Sequence, residues 1–291
     1  MRGPCSLSAP MTAPLSEGPR TMPRMTVVEG PVGGWVERRG GVVVKTHAVG
    51  VRPAELRARL RAARSAALDG LVVRPLGGVA ERGGRLVTRW PRGEPVDPAA
   101  PERYPWGEAG ALLRRLHAVP LADLPGPLPA AGGPARVART VARVRAEVTA
   151  PQLAAARRLV ERAHRNVPGR GGERALCHGD FHLGQLVRLP AGGWRLIDVD
   201  DLGVGDPAWD LGRPAAWYAA GLLPPADWQR LLTGYGLAED GGLWARLDAP
   251  ARAFAVQGAA RALLHAQAGG GQLDDEGLAL VEACGRIGGL P

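Results

Sequence analysis

The stretch that decides the fold of this 291-residue chain runs from Leu176 to Gly212 and reads LCHGDFHLGQLVRLPAGGWRLIDVDDLGVGDPAWDLG. It places Asp180 and Gln185 in a loop before the strand QLVRL, and Asp198 at the end of the returning strand WRLIDV. Because a hairpin brings its two ends together, we expect these three oxygen-bearing side chains to converge. Phosphoryl transfer needs a carboxylate that orients the attacking hydroxyl and oxygen ligands that hold Mg²⁺.

A lysine provides the second signal. Of the 37 basic residues, 36 are arginine and one is Lys45, at the end of the apolar strand GVVVK. An ammonium is a compact point charge that the planar guanidinium of arginine does not reproduce. We therefore expect Lys45 to reach the phosphates of a nucleotide across a cleft from the loop of Asp180.

Composition excludes several classes of protein. The chain is 45% hydrophobic and 22% charged, as is typical of a soluble enzyme, and no apolar run approaches the ~18 residues of a membrane span. Its net charge of +9 is spread along the chain, which argues against a specific nucleic-acid partner. The cysteines are too far apart for a disulfide framework or a metal clamp and favour a reducing, cytoplasmic location: Cys5, Cys177 and Cys284. The oligomeric state stays open.

Patterning along the chain predicts an α+β protein with two lobes. Residues 1–24 are rich in Pro, Ser and Gly and are predicted to be a disordered tail. Residues 25–90 predict a small antiparallel sheet with one helix, from Pro53 to Leu68, and hairpins that turn at Gly40–Gly41 and Gly83–Gly84. After a Pro-rich connector, residues 91–291 predict a larger, mainly helical lobe with one short hairpin.

The two motifs resemble the aminoglycoside phosphotransferase and choline kinase superfamily, which has the protein-kinase-like fold. The catalytic loop of that family reads HGDxxxxN, and residues 178–185 read HGDFHLGQ. Its metal segment reads roughly IDFGDAGLGDPAYDLA, and residues 197–212 read IDVDDLGVGDPAWDLG. The resemblance extends from about Thr26 to the C-terminus, and two linked motifs at the family spacing make it specific.

The resemblance implies an ATP- and Mg²⁺-dependent kinase that phosphorylates a hydroxyl of a small molecule. It implies that Asp180 is the catalytic base and that Lys45 holds the ATP phosphates. Asp198 would be the principal Mg²⁺ ligand, with Gln185 as a second ligand.

Further roles follow from the same resemblance. The segment around Arg89 and Trp90 would contact adenine through its backbone. His178 would brace the catalytic loop, while Asp206 and Asp210 would fix the segment after the metal site. For Asp206 an alternative stays open, because Asp-Pro is also an ordinary start of a helix.

The sequence departs from the family pattern at three positions. Gln185 stands where the family has Asn, in an HLGQ form that is similar to bacterial maltokinases. Asp200 replaces a Gly and is either a second metal contact or a solvated charge. Glu55 is the acid of the first helix that could pair with Lys45, but its place in the first turn also suits the helix dipole.

The acceptor is the open part of the prediction. Aminoglycosides are polycations, so an aminoglycoside-type acceptor requires an acidic pocket, and His182 and Asp201 are the candidate acceptor contacts. The acids that could contribute are Asp200, Asp201, Glu239, Asp240, Asp274, Asp275 and Glu276. A sugar, as in maltokinases, or an amino alcohol remains the alternative acceptor.

Two other classes compete with a kinase. The motif GDFH resembles one element of metallophosphoesterases, but the GNH element of that class is absent, since the single asparagine lies in RNVPG. A non-catalytic nucleotide-binding relative is the second alternative. The presence of Lys45, Asp180 and Asp198 together favours catalysis.

Overall fold

The computed structural model describes residues 33–167 and 172–289. The predicted disordered tail, residues 1–24, lies outside the described residues, and so does the stretch TVVEG, residues 26–30, whose pattern predicts a first strand. No helix within the described ranges has an apolar stretch long enough to cross a membrane.

The N-terminal part is a four-stranded antiparallel sheet in the order β1-β2-β4-β3. Its strands are β1 (Trp35–Arg39), β2 (Val42–Thr46), β3 (Ala80–Arg82) and β4 (Arg85–Pro91). Both predicted hairpins are confirmed. Their turns contain Gly40, Gly83 and Gly84 at positive φ, a conformation that glycine adopts without the steric cost of a Cβ.

The helix of this part, α1 (Pro53–Ala63), starts with proline as predicted. It ends five residues earlier than expected, and a separate 3-10 turn covers Ala66–Leu68. The next stretch, LVVRPL at residues 71–76, has a pattern that predicts a strand, but it does not join the four-stranded sheet. Instead the amide of Val73 donates to the carbonyl of Leu196 at 2.8 Å, so this stretch ties the sheet to the helical part.

The remaining residues form the larger, helical part. Its helices are α2 (Trp106–His117), α3 (Gly133–Glu147), α4 (Ala154–Arg165), α5 (Ala208–Ala219), α6 (Pro225–Tyr235), α7 (Gly241–Ala268) and α8 (Asp275–Ile287). Its short strands are β5 (Glu94–Pro95), β6 (Ala175–Cys177), β7 (Leu186–Arg188), β8 (Trp194–Leu196) and β9 (Gly203–Gly205). The α+β architecture with a small sheet and a helical part is confirmed.

Two features of the helical part position the loops of interest. Strands β7 and β8 form the predicted hairpin, and the amide of Ile197 donates to the carbonyl of Gln185 at 2.8 Å just beyond it. Strand β6 pairs antiparallel with β9, so the residues before the HGD motif lie beside the middle of the second motif. The two motifs therefore meet at one edge of the helical part.

Candidate functional site

The HGD loop follows β6 directly, and Asp210 of α5 fixes its backbone. One carboxylate oxygen of Asp210 accepts the amide N–H of His178 at 2.6 Å, and the other accepts that of Gly179 at 2.8 Å. Gly179 has a φ of 84°, and a Cβ there would overlap the carbonyl oxygen of Asp201. Glycine thus allows the loop to pass closely against the second motif.

Asp210 is itself held by a buried chain of polar groups that the sequence did not predict. Its carboxylate lies 3.0 Å from Nε2 of His117, whose Nδ1 lies 2.7 Å from the hydroxyl of Tyr235. Burial alone would raise the pKa of Asp210, but its bonds with His117 and with the loop amides lower that pKa below its usual value. The carboxylate therefore stays ionised as an anchor of the loop.

The resemblance implies supporting roles for His178 and Asp206, and these roles stay predictions. Nε2 of His178 lies 2.7 Å from the carbonyl of Ile197, the residue before Asp198, and so links the two motifs. Asp206 accepts the amide of Ala208 at 2.9 Å, at the start of α5. This contact matches the simpler interpretation of Asp206 as the residue that begins the helix.

Asp180 lies in the loop between two arginines. Nη2 of Arg213, on α5, is 2.5 Å from one carboxylate oxygen, and Nη2 of Arg136, on α3, is 3.2 Å from the other. Burial alone would raise the pKa of Asp180, but Arg213 and then Arg136 lower it below its usual range. Asp180 is thus an ionised and largely buried carboxylate at neutral pH.

Lys45 reaches across from β2 to the second motif. Its Nζ lies 2.6 Å from a carboxylate oxygen of Asp198 and 2.9 Å from one of Asp200. Burial alone would lower the pKa of Lys45, but the two carboxylates raise it above its usual value. Asp198 has a φ of 59°, the only positive φ among non-glycine residues of the described part, which is an uncommon conformation for aspartate.

Asp200 is not a solvated charge, which was one of its two predicted roles. Besides Lys45, it lies 3.0 Å from Nδ1 of His47, also on the sheet side of the site. The other ring nitrogen of His47, Nε2, lies 2.9 Å from the hydroxyl oxygen of Thr88. The same oxygen accepts the indole N–H of Trp90 at 2.9 Å. The buried side chain of Trp90 therefore takes part in the polar chain that supports Asp200.

The structure does not pair Glu55 with Lys45, which was one of the two roles considered for Glu55. Glu55 lies 2.6 Å from Arg52, which immediately precedes α1, and 3.4 Å from Arg59, one turn later on the helix. Arg59 in turn donates to the carbonyl of Leu202, within the second motif. Local helical spacing supplies Glu55 with two arginines, so it does not reach the lysine.

The other predicted residues are near the loop but differ in their contacts. Gln185 is buried, and its carbonyl accepts the amide of Ile197, the residue before Asp198. Nδ1 of His182 accepts the amide of Gly184 at 3.1 Å, and burial, aided by the charge of Arg213, lowers the pKa of His182 to about 4. His182 is therefore neutral at physiological pH.

Asp201 and Arg89 are committed to other partners. The carboxylate of Asp201 is buried and forms a close ion pair with Arg136, so it is not available as a free acid for a cationic acceptor. The backbone carbonyl of Arg89 accepts the amide of Leu76 at 2.8 Å. The predicted adenine contact at Arg89 and Trp90 stays a prediction.

A comparison with protein families decides the class of this chain. The model of the phosphotransferase enzyme family matches residues 35–250, about three quarters of the sequence. The chain belongs to this family. That result confirms the predicted resemblance and the predicted enzyme class, while the likeness to maltokinases stays a prediction. The match spans both parts of the phosphotransferase, from β1 into α7.

Solved structures show the same fold at low sequence identity. A choline/ethanolamine kinase family protein from Mesorhizobium loti shares 20% identity over 89% of this chain and 85% of its own, with a TM-score of 0.55. The choline kinase LicA from Streptococcus pneumoniae shares 15% over 93% and 92%, with a TM-score of 0.53. A spectinomycin phosphotransferase in complex with ADP and spectinomycin shares 13% over 88% and 89%, with a TM-score of 0.54. The kinase-like fold of the phosphotransferase is thereby confirmed.

Proposed function

We propose that this phosphotransferase transfers the γ-phosphate of ATP to a hydroxyl group of a small molecule. The contact between Lys45 and Asp198 carries the proposal. It joins Lys45, on the sheet, to Asp198, in the helical part. The HGD loop, which carries Asp180, is held to the same segment by the contact of His178 with the carbonyl of Ile197. A lysine for phosphates, an acid for a cation and a second acid for the acceptor are the groups that phosphoryl transfer uses.

The donor set around Asp198 suits Mg²⁺. Asp198 and Asp200 offer carboxylate oxygens beside one another, and Gln185, at the same end of the hairpin as Asp198, would add an amide oxygen. Oxygen donors of this kind are the ligands that Mg²⁺ prefers in proteins. When bound, Mg²⁺ would neutralise charge on the nucleotide phosphates, and the ammonium of Lys45 would add to that neutralisation.

Asp180 would orient the acceptor hydroxyl and take its proton. The hydroxyl oxygen forms a bond to the γ-phosphorus, the bond from that phosphorus to the bridging oxygen breaks, and ADP leaves with the electron pair. The proton passes to Asp180 and then to solvent. Because Arg213 and Arg136 keep this carboxylate ionised, it can accept the hydrogen bond of the hydroxyl from the start.

The acceptor predicted from sequence was of the aminoglycoside type, with a sugar or an amino alcohol as alternatives. Five of the seven acids that could attract a polycation are engaged in other contacts. Asp200 pairs with Lys45 and Asp201 with Arg136, while Asp240 accepts an amide of the first turn of α7. Glu239 accepts the indole of Trp244, and Asp274 accepts an amide in the first turn of α8. These contacts give an aminoglycoside acceptor no specific support.

The test is ADP release from Mg·ATP with pools of aminoglycosides, of sugars that include maltose, and of amino alcohols and hydroxy acids. We expect at least one pool to stimulate release by the wild type and not by Asp180→Asn. Asp248→Asn is the matched control, since Asp248 is an exposed acid of α7. Equal stimulation of the wild type and Asp180→Asn would refute the role of Asp180. If no pool stimulated ADP release and the protein did not bind ATP, the result would refute the proposed phosphotransferase activity.

A further inference from the structure

Five arginines on or next to three helices lie around Asp180 and the second motif. We call them the arginine cluster: Arg52 just before α1, Arg59 of α1, Arg136 and Arg139 of α3, and Arg213 of α5. The contacts of four of them are direct. Arg136 and Arg213 each bind the carboxylate of Asp180. Arg59 donates to the carbonyl of Leu202, and both Arg59 and Arg52 pair with Glu55.

Arg139 extends the arginine cluster outward from Asp180. It lies one turn after Arg136 on α3, is exposed, and has no ion-pair partner in the described part of the chain. Its pKa is lowered, first by partial burial and then by the nearby positive charges of Arg136, Arg52 and Arg59. Like charges that repel one another at this density favour the binding of an anion between them.

The carboxylates near the arginine cluster do not balance its charge. Three acids pair with members of the cluster, and these are Glu55, Asp180 and Asp201. In addition, the Nε–H groups of Arg136 and Arg213 are buried and have no hydrogen-bond partner within the described residues. Buried donors without a partner are uncommon, and such groups at a binding site often bind a ligand.

We infer that the acceptor carries an anionic group, a carboxylate or a phosphate, that binds to Arg136 and Arg139 beside Asp180. The inference rests on the proposed function, and it names the class of the acceptor. A polycation would meet net repulsion here, whereas a hydroxyl compound with an acidic group would be held with its hydroxyl near the base.

Arg136 also links the binding of such an anion to the state of the base. The same Nη2 atom contacts Asp180 and Asp201, so one guanidinium nitrogen is shared between two carboxylates. Arg213 holds the other oxygen of Asp180 from the buried side. An anion that draws Arg136 toward itself leaves one oxygen of Asp180 free for the hydroxyl.

The first test compares acceptors that share a skeleton and differ in charge. The probes are gluconate, glucose 6-phosphate, glucose and glucosamine, with glycerate, glycerol 3-phosphate, glycerol and serinol as a second series. ADP release from Mg·ATP is measured with the full chain. We expect stimulation by a carboxylate or a phosphate member, with the KM of that acceptor raised roughly threefold to tenfold in Arg139→Gln and the KM of ATP unchanged.

Arg145→Gln is the matched control, because Arg145 is exposed on the same helix and faces His164 of α4. Stimulation by neutral or cationic probes alone would overturn the inference and leave the proposed kinase in place. A rise in the KM of ATP rather than of the acceptor in Arg139→Gln would also overturn it, since the arginine cluster would then serve the nucleotide.

The second test does not depend on turnover. The protein is saturated with Mg²⁺ and a non-hydrolysable ATP analogue, and gluconate or inorganic phosphate is titrated by calorimetry. We expect saturable binding that is weakened in Arg139→Gln and not in Arg145→Gln. Absence of binding by both anions overturns the inference. Binding as expected, without any acceptor-stimulated ADP release, supports the anion site and counts against the proposed function.

Discussion

The ion pair between Asp180 and Arg213 offers a direct test of how the candidate base is held. Its nitrogen and oxygen lie 2.5 Å apart, and the two side chains are only 11% and 10% exposed. Removal of one partner from a buried pair costs about 3–5 kcal/mol, because the other charge is left buried without compensation. Arg136 still contacts Asp180 at 3.2 Å, so we expect Arg213→Met to cost somewhat less, about 2–4 kcal/mol.

A double-mutant cycle separates the pair from other contacts of Arg213. The guanidinium also lies over the ring of Phe254 and near Gln257, and these contacts cancel in a cycle with Asp180→Asn. We expect a coupling free energy of about 2–3 kcal/mol. The double variant should be more stable than the sum of the two single losses predicts.

An exposed pair of the same chemistry is the control. Asp248 and Arg252 on α7 lie 2.7 Å apart, but their side chains are 43% and 41% exposed. Because water screens such a pair, its coupling should be about 0.3–0.5 kcal/mol. The assay is urea unfolding at pH 7, followed by tryptophan fluorescence. Equal couplings at the two sites would refute the argument that burial makes the Asp180 pair strong.

Three further predictions concern other parts of the site. Lys45→Met should raise the KM of ATP roughly tenfold to hundredfold in the ADP-release assay, because a charged contact to phosphate is lost; an unchanged KM would contradict the role of Lys45. The folded-state pKa of His182, about 4, lies below its ordinary 6.5, so the unfolded chain binds the extra proton in acid. This contribution to the free energy of unfolding should therefore be intact above pH 6.5 and fall by about 2–3 kcal/mol as the pH drops toward 4. In His182→Asn the free energy of unfolding should depend less on pH over this range, and an equal pH dependence in the two proteins would count against this assignment. Tyr235→Phe should cost about 1 kcal/mol of unfolding free energy through loss of its bond to His117, whereas no change in the urea midpoint would show that this bond adds nothing.

The candidate site could be predicted where its geometry is local. The hairpin between Gln185 and Asp198 follows from turn and strand signals a few residues apart, and it places both side chains at one end. Lys45 could be found because it is the one lysine of the sequence. Its contact with Asp198 agrees with the expectation that Lys45 faces the two motifs from the sheet.

Errors arose where local and long-range partners compete. A pair with Lys45 was one of two roles considered for Glu55, but Arg52 and Arg59, three residues before and four residues after it, bind Glu55 instead. The pattern ARAFAVQGAARALLHAQ, residues 251–267, predicts a helix, but α7 begins ten residues earlier, at Gly241, and continues through Pro250. Packing against α5 stabilises the helix on both sides of a residue that lacks an amide proton.

By itself, the sequence determined the fold class, the two motifs and the acids and lysine that they bring together, because these depend on short spacings. Only the tertiary structure decided which arginines hold Asp180. The chain offers 36 chemically identical candidates, and Arg136 and Arg213 are selected by how α3 and α5 pack beside the loop. Such contacts between residues far apart in the chain leave no periodic signal. The charge around the acceptor therefore follows from packing and not from composition.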